Sequence, residues 1–299
     1  MQQIPDSELV INPDGSIYHL NLRPEQIAST IITVGDPGRV EQVSRYFDTI
    51  EVQSSKREFV THTGRLGHHR ITVISTGIGP DNIDITLNEL DALANIDFDT
   101  RTPKKQLTSL KIIRLGTSGG LHLDVPVDSI LLSSYGVGLD NLLHFYDREV
   151  GLEEGELLEI IRKSYISLPV QPYATQGSKY LLNALGHGLQ KGITLTSPGF
   201  YAPQGRSLRL EALLSADALD RLSKLQYQNL NITNFEMETA AIYGLSNLLG
   251  HQPLSCNVLL ANRANKTFSP DPKKAVNKMI EMMLERIEKM LDAELIQQK

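Results

Sequence analysis

Six short apolar runs punctuate the chain: TIITVG (30–35), ITVIST (71–76), KIIRLG (111–116), SILLSS (129–134), GITLTS (192–197) and LSCNVLLA (254–261). They are brief, rich in β-branched residues and mostly non-alternating, which is the pattern of strands buried on both faces. Between several of them the period changes to that of a helix. Val40, Val43 and Phe47 keep helical spacing, with Asp36 placed to cap and Pro37 suited to a first turn. Segments 84–94, 153–165 and 177–189 have the same character. The final segment repeats apolar positions at Val276, Met279/Ile280, Met283/Leu284, Ile287 and Met290/Leu291. Four of the six methionines lie there, which fits a packed helix face rather than a cofactor box. Strands alternating with helices predict an α/β fold: a single domain over 1–299 with a central mixed β-sheet flanked by helices. No repeat, low-complexity tract or long linker breaks the pattern.

The 299 residues, 40% of them hydrophobic, suffice for a large core. The formal charge of −6 is diffuse and argues against a protein that coats nucleic acid. A single cysteine, Cys256, sits in an apolar run, so neither a disulfide framework nor a zinc cluster can be built. None of His62, His68, His69, His122, His144, His187 and His251 belongs to a metal-binding pattern. The opening MQQIPDSELVINPDG has no basic and apolar leader pattern, and no apolar run approaches the ~20 residues of a membrane span. A cytoplasmic protein that binds neither membrane nor nucleic acid is expected.

Several turns carry candidate chemistry. In VGDPGRV (34–40) a strand gives way to a helix whose first turn holds Arg39; helix N-termini suit anions, and a cation there is explained by an anion in front of it or a salt bridge elsewhere. In RLGTSGG (114–120), Arg114, Thr117 and Ser118 stand among glycines after another strand, without the Lys of a P-loop. In NFEMETAAIYGL (234–245), Thr233 or Asn234 is a candidate helix cap, with Glu236 and Glu238 in the first turn. Those carboxylates either stabilise the helix dipole or accept hydrogen bonds from a diol. SSKREFVTHTG (54–64) contributes Arg57, and IYHLNL contributes His19. FYAPQGR (200–206) sets the planar groups of Gln204 and Arg206 beside two aromatics, either as a solvated loop or as a reader of a flat polar heterocycle.

Together these motifs resemble the nucleoside phosphorylase family, from about His19 to the C-terminal helix. GDPGRV, STGIG (75–79), IRLGTSGG and NFEMETA match its ordered landmarks. FYAPQGR and the Asn262-Arg263 pair resemble its uridine-cleaving branch. The resemblance implies a pentosyltransferase that converts uridine and phosphate to uracil and ribose 1-phosphate, a pyrimidine salvage step. It assigns phosphate to Gly35, Arg39, Arg57, Arg114 and Thr117, and the base to Phe200, Gln204, Arg206 and Arg263. Ribose falls to His19, Glu236, Met237 and Glu238. The chemistry centres on Arg114, Arg206 and Glu238. It further implies a homo-oligomer, a dimer at least and a hexamer by preference, in which His19 and Arg57 serve a neighbour's site. Phosphate is a co-substrate, and no cofactor is expected. Some relatives hold potassium between subunits near Glu58 and Ile78; Asn82 stands here for the expected Ser and speaks against that site. Two alternatives remain: a purine-directed phosphorylase or nucleosidase of the same fold, and a non-catalytic nucleoside-binding relative. The first would use an Asp soon after LLANRANK to protonate the purine; none occurs before Asp271. The full arginine set argues against the second.

Overall fold

The computed structural model describes residues 3–297. All six apolar runs contribute to strands: Thr30–Val34, His69–Ser75, Lys111–Gly120, Ile130–Gly138, Gln190–Thr196 and Gln252–Asn262. They belong to one 12-stranded sheet. Thr30–Val34 lies between His69–Ser75 and Lys111–Gly120 and is parallel to both. Lys111–Gly120 is also parallel to Gln252–Asn262. Ile130–Gly138 then pairs antiparallel with Gln252–Asn262 and parallel with Gln190–Thr196, so the sheet is mixed as expected.

Two features depart from the sequence pattern. Leu230–Glu236 is a strand, and the helix expected from position 234 begins at Thr239. The reason is hydrogen bonding on both sides: this strand runs parallel to Gln190–Thr196 and, through Asn234 and Phe235, antiparallel to Gly120 and Gly119. Its backbone is committed to the sheet through Glu236, so Thr233 and Asn234 cannot cap a helix. The second pairing also closes five strands into a ring, from Lys111–Gly120 through Gln252–Asn262, Ile130–Gly138 and Gln190–Thr196 to Leu230–Glu236. The other departure is a hairpin, Thr49–Lys56 and Phe59–Leu66, added at the far edge. The outer strand is largely exposed and polar, so it produces no apolar run.

Helices cover both faces. Pro272–Gln297 buries Val276, Met279, Ile280, Met283, Leu284, Ile287, Met290 and Leu291, the stripe its period predicts. It shares a core with Pro37–Ser44 and Lys179–Leu185. Each such side chain contributes about 1.5–3 kcal/mol on burial, so packing rather than propensity holds the helix in place. On the opposite face lie Pro80–Asn95 and Thr239–Leu248. The second is buried from Thr239 through Ser246, which fixes its N-terminus where Leu230–Glu236 ends. Among the described residues no helix is long and apolar enough to cross a membrane.

Candidate active site

Gly35 just past Thr30–Val34, Thr117 late in Lys111–Gly120 and Phe235 near the end of Leu230–Glu236 converge on a cavity of about 710 Å³. Gly35, Arg39, Arg114, Thr117, Phe200, Gln204, Arg206, Glu236, Met237 and Glu238 all border it. Apolar wall is added by Phe235, Leu260, Ala261 and Phe268.

One end is cationic. Asp36 accepts from the Gly38 N–H at 2.9 Å and caps the helix that carries Arg39, with Pro37 in the first turn as the sequence indicates. The Arg39 guanidinium reaches across to the Leu115 carbonyl at 3.3 Å. Burial, followed by the like charge of Arg114, lowers its pKa. Arg114 rises from the central strand and is buried. Its Nη1 donates to Asn257 Oδ1 at 2.6 Å and its Nη2 to Glu238 Oε2 at 2.5 Å, with Glu236 Oε2 3.2 Å away. Burial opposes this charge, but Glu236 and Glu238 outweigh it and raise the pKa.

The two carboxylates differ in their work. Glu236 accepts from the backbone N–H groups of Glu238 and Thr239, at 2.9 and 3.0 Å, and from the Thr196 hydroxyl at 2.7 Å. It therefore caps the helix from the end of the strand before it. Glu238 is buried beside the cavity and accepts from the Gly79 N–H at 2.9 Å. Gly79 has φ 99°, a conformation that only glycine adopts without strain, and this turns its N–H to the carboxylate. Burial, with the nearby charge of Glu236, raises the Glu238 pKa against the pull of Arg114.

The other end is the Gln204 loop. Arg206 Nη1 donates to Gln204 Oε1 at 2.5 Å and to the Phe200 carbonyl at 2.6 Å. Its guanidinium lies 3.9 Å above the centre of the Phe200 ring. Phe200 thus borders the cavity and also forms a bed for the guanidinium, because the short loop folds back on itself. Arg263 does not border the cavity. It donates to the carbonyls of Gln204 and, at 3.1 Å, Gly205, and so holds the loop that presents Gln204. Neither Arg206 nor Arg263 forms an ion pair among the described residues. Burial lowers the pKa of both, and for Arg206 the charge of Arg263 adds to it. This end thus carries uncompensated positive charge.

Residues 29–294 match the model of the phosphorylase superfamily. The chain belongs to that superfamily. A solved Trypanosoma brucei nucleoside phosphorylase, described as showing uridine phosphorylase activity, superposes with a TM-score of 0.84 at 31% identity, covering 93% of this chain and 99% of that one. Uridine phosphorylase of Thermococcus kodakarensis is 27% identical over 255 residues, 85% of this chain and 80% of that protein. A DeoD-type purine nucleoside phosphorylase of Listeria monocytogenes is 24% identical over 272 residues, 89% of this chain and 97% of that protein.

Within this phosphorylase fold two expected residues lie elsewhere. His19 Nδ1 is 2.6 Å from Glu89 Oε1, and the Arg57 guanidinium lies 5.9 Å from the Tyr18 ring centre. Neither borders the cavity of its own chain. Asn262 is committed to its loop: its amide donates to the carbonyls of His122 and Val125 at 2.9 and 2.6 Å, and its oxygen accepts from the N–H groups of Ala264 and Asn265. Asn82 turns its amide N–H toward the Ile78 carbonyl at 3.5 Å. Sequence reasoning passed over Asn257, the partner of Arg114. A polar residue two positions after Ser255 inside the apolar run LSCNVLLA was the available signal.

Proposed function

We propose that the protein catalyses phosphorolysis of uridine to uracil and ribose 1-phosphate. The observation that carries this reading is the 2.5 Å bond from Arg206 to Gln204 Oε1. It sets the Gln204 amide oxygen next to the guanidinium, leaving the amide N–H₂ on the far side. The order along the loop is then donor, acceptor, donor. Uracil offers the complement along O2, N3–H and O4, since an amide oxygen retains a second lone pair for N3–H while already accepting from Arg206.

At the opposite end Arg39, Arg114, Thr117 and Gly35 hold phosphate, positioned to attack C1′. A phosphate oxygen forms the new bond to C1′ as the N1–C1′ bond breaks, and its electron pair passes to the pyrimidine. The uracil anion is stabilised by Arg206, in surroundings without a neutralising carboxylate, and is protonated on release. Glu238 accepts from the ribose hydroxyls, and Met237 packs against the sugar. Glu236 serves ribose through the helix end it orders. Inorganic phosphate is the co-substrate, and no cofactor enters the reaction. The purine reading is less well supported, because the side chain that ends the last long strand, Asn262, is not an acid and is consumed by its own loop.

We also propose a homo-oligomer, a dimer at least and a hexamer by preference, in which His19 approaches the 5′-hydroxyl and Arg57 the phosphate of a neighbouring subunit. The cytoplasm is the proposed compartment; a single buried thiol, Cys256, fits a reducing environment. The deciding assay is uracil release from uridine with and without phosphate. Release that depends on phosphate, with ribose 1-phosphate formed one for one, supports the reading. Phosphate-independent release with free ribose, or inosine outpacing uridine, overturns it.

A further inference from the structure

Arg114 is steered by features of the sheet that do not touch the cavity. Lys111–Gly120 and Gln252–Asn262 run parallel in the register Arg114↔Ser255 and Gly116↔Asn257. Residues two apart on a strand share a face, so these four form one patch across the two strands. The Arg114 side chain folds back over Gly116. A Cβ at Gly116 would lie 1.6 Å from Nη1 and 2.4 Å from Cζ, so any side chain there would drive the guanidinium away. Asn257 then fixes the direction. Its Oδ1 accepts from Arg114 Nη1 at 2.6 Å, while its amide donates to Ser255 Oγ at 3.1 Å. Ser255 Oγ in turn accepts from the Thr239 hydroxyl at 2.8 Å. The amide orientation is therefore set from behind, with the oxygen facing the arginine.

We infer that Gly116 and Asn257 form a seat that positions Arg114 for phosphate. The inference deepens the phosphorolysis reading and rests on it only in taking inorganic phosphate as the ligand of Arg114. Glu236 and Glu238 both pull on Nη2 and are stronger acceptors than any neutral group. Without a counter-hold on Nη1, the guanidinium turns fully onto the carboxylates and is withdrawn from an incoming anion. A neutral acceptor supplies that hold without adding a third negative charge beside the phosphate. A fully buried Asn within an apolar strand is costly unless its polar atoms are used, and here they are. Asn257 is thus a positioning residue that acts through Arg114.

The test is a double-mutant cycle read by calorimetric titration with inorganic phosphate, which needs no turnover. Asn257→Leu should weaken phosphate binding tenfold or more while the melting transition stays cooperative. Arg114→Ala should weaken it at least as much, and the double variant should bind within twofold of Arg114→Ala alone. In turnover with uridine, Asn257→Leu should raise KM for phosphate more than KM for uridine, which the released guanidinium affects only through Glu238. Gly116→Ala carries the same expectation by displacing the guanidinium directly, and stands in if Asn257→Leu does not fold. Unchanged phosphate binding in both folded variants, losses that multiply in the double variant, or a wild type that does not bind phosphate would each overturn the seat. If phosphate binding follows the cycle but uridine is not cleaved, the uridine reading fails and the seat stands.

Discussion

Gln204 and Arg206 are separated by one residue, and the bond between their side chains makes each part of the other's chemistry. Arg206→Lys keeps the charge but loses the planar fork, so it cannot hold Gln204 Oε1 and reach a second acceptor in the same plane. If, as proposed, the guanidinium acts most strongly on charge that develops as the glycosidic bond breaks, the loss should appear in kcat. A fall of about 10²–10³-fold with uridine is expected, as for removal of one transition-state donor. Steady-state kinetics settles it; a kcat within threefold of wild type would show that the fork is not the base reader. The pair was legible in the sequence because a short turn leaves two planar polar groups no room to separate. The division of labour between Glu236 and Glu238 was not legible. Both lie in one motif and both border the cavity, and only the strand-to-helix junction shows that Glu236 caps the helix while Glu238 is held by Gly79 and Arg114. The contact between Phe200 and Arg206 was not legible either, since a cation–π contact within the loop has no sequence signature.

At the scale of elements, the junctions carry the energetics. Glu236 satisfies the amide of Thr239, the first residue of the buried helix Thr239–Leu248, and that of Glu238 just before it, and water cannot readily replace it there. Glu236→Ala should cost about 2–4 kcal/mol of stability, combining a lost cap with buried unsatisfied donors. Chemical denaturation measures this, and a loss under 0.5 kcal/mol would show that the cap is dispensable. Asp140, just past the strand Ile130–Gly138, accepts from the Leu142 N–H at 2.9 Å and from the Tyr173 hydroxyl at 2.7 Å. Burial nevertheless raises its pKa. The folded protein therefore holds this proton more tightly than the unfolded chain does. The stability this contributes is complete below the ordinary aspartate value of about 3.9 and is lost as pH rises through the raised value. Asp140→Asn removes the titration, so the melting temperature of the variant relative to wild type should climb as pH is raised from about 4 to 7. A difference that stays flat or falls would mean that the hydrogen bonds, not the burial, set the balance. The buried strands and the C-terminal helix face could be read from period alone. The Thr49–Lys56 hairpin arm could not, because an exposed edge strand needs no apolar run.

At the scale of the whole molecule, the α/β order was legible, but the closing of five strands into a ring was not. It depends on two residue pairs, Asn234 with Gly120 and Phe235 with Gly119, brought together from sequence positions far apart. Assembly is the other property invisible in one chain. His19 and Arg57 match the motif yet lie outside their own cavity, which is the arrangement a shared site requires. If two subunits exchange these residues, the contact is isologous and each pocket combines Arg114 of one chain with Arg57 of its partner. In that arrangement, enclosure by the partner would also exclude water from the reacting carbon. Arg57→Ala and Arg114→Ala proteins should each lose most activity alone. Dissociated and reassembled together, they form mixed dimers in which one pocket holds both lesions and the other holds wild-type residues at both positions. Activity should return toward half the wild-type value per mixed dimer, measured as phosphate-dependent uracil release after confirming mixed dimers with differently tagged chains. Mixed dimers that stay inactive, or a wild type that is active as a monomer, would show that Arg57 does not act across an interface.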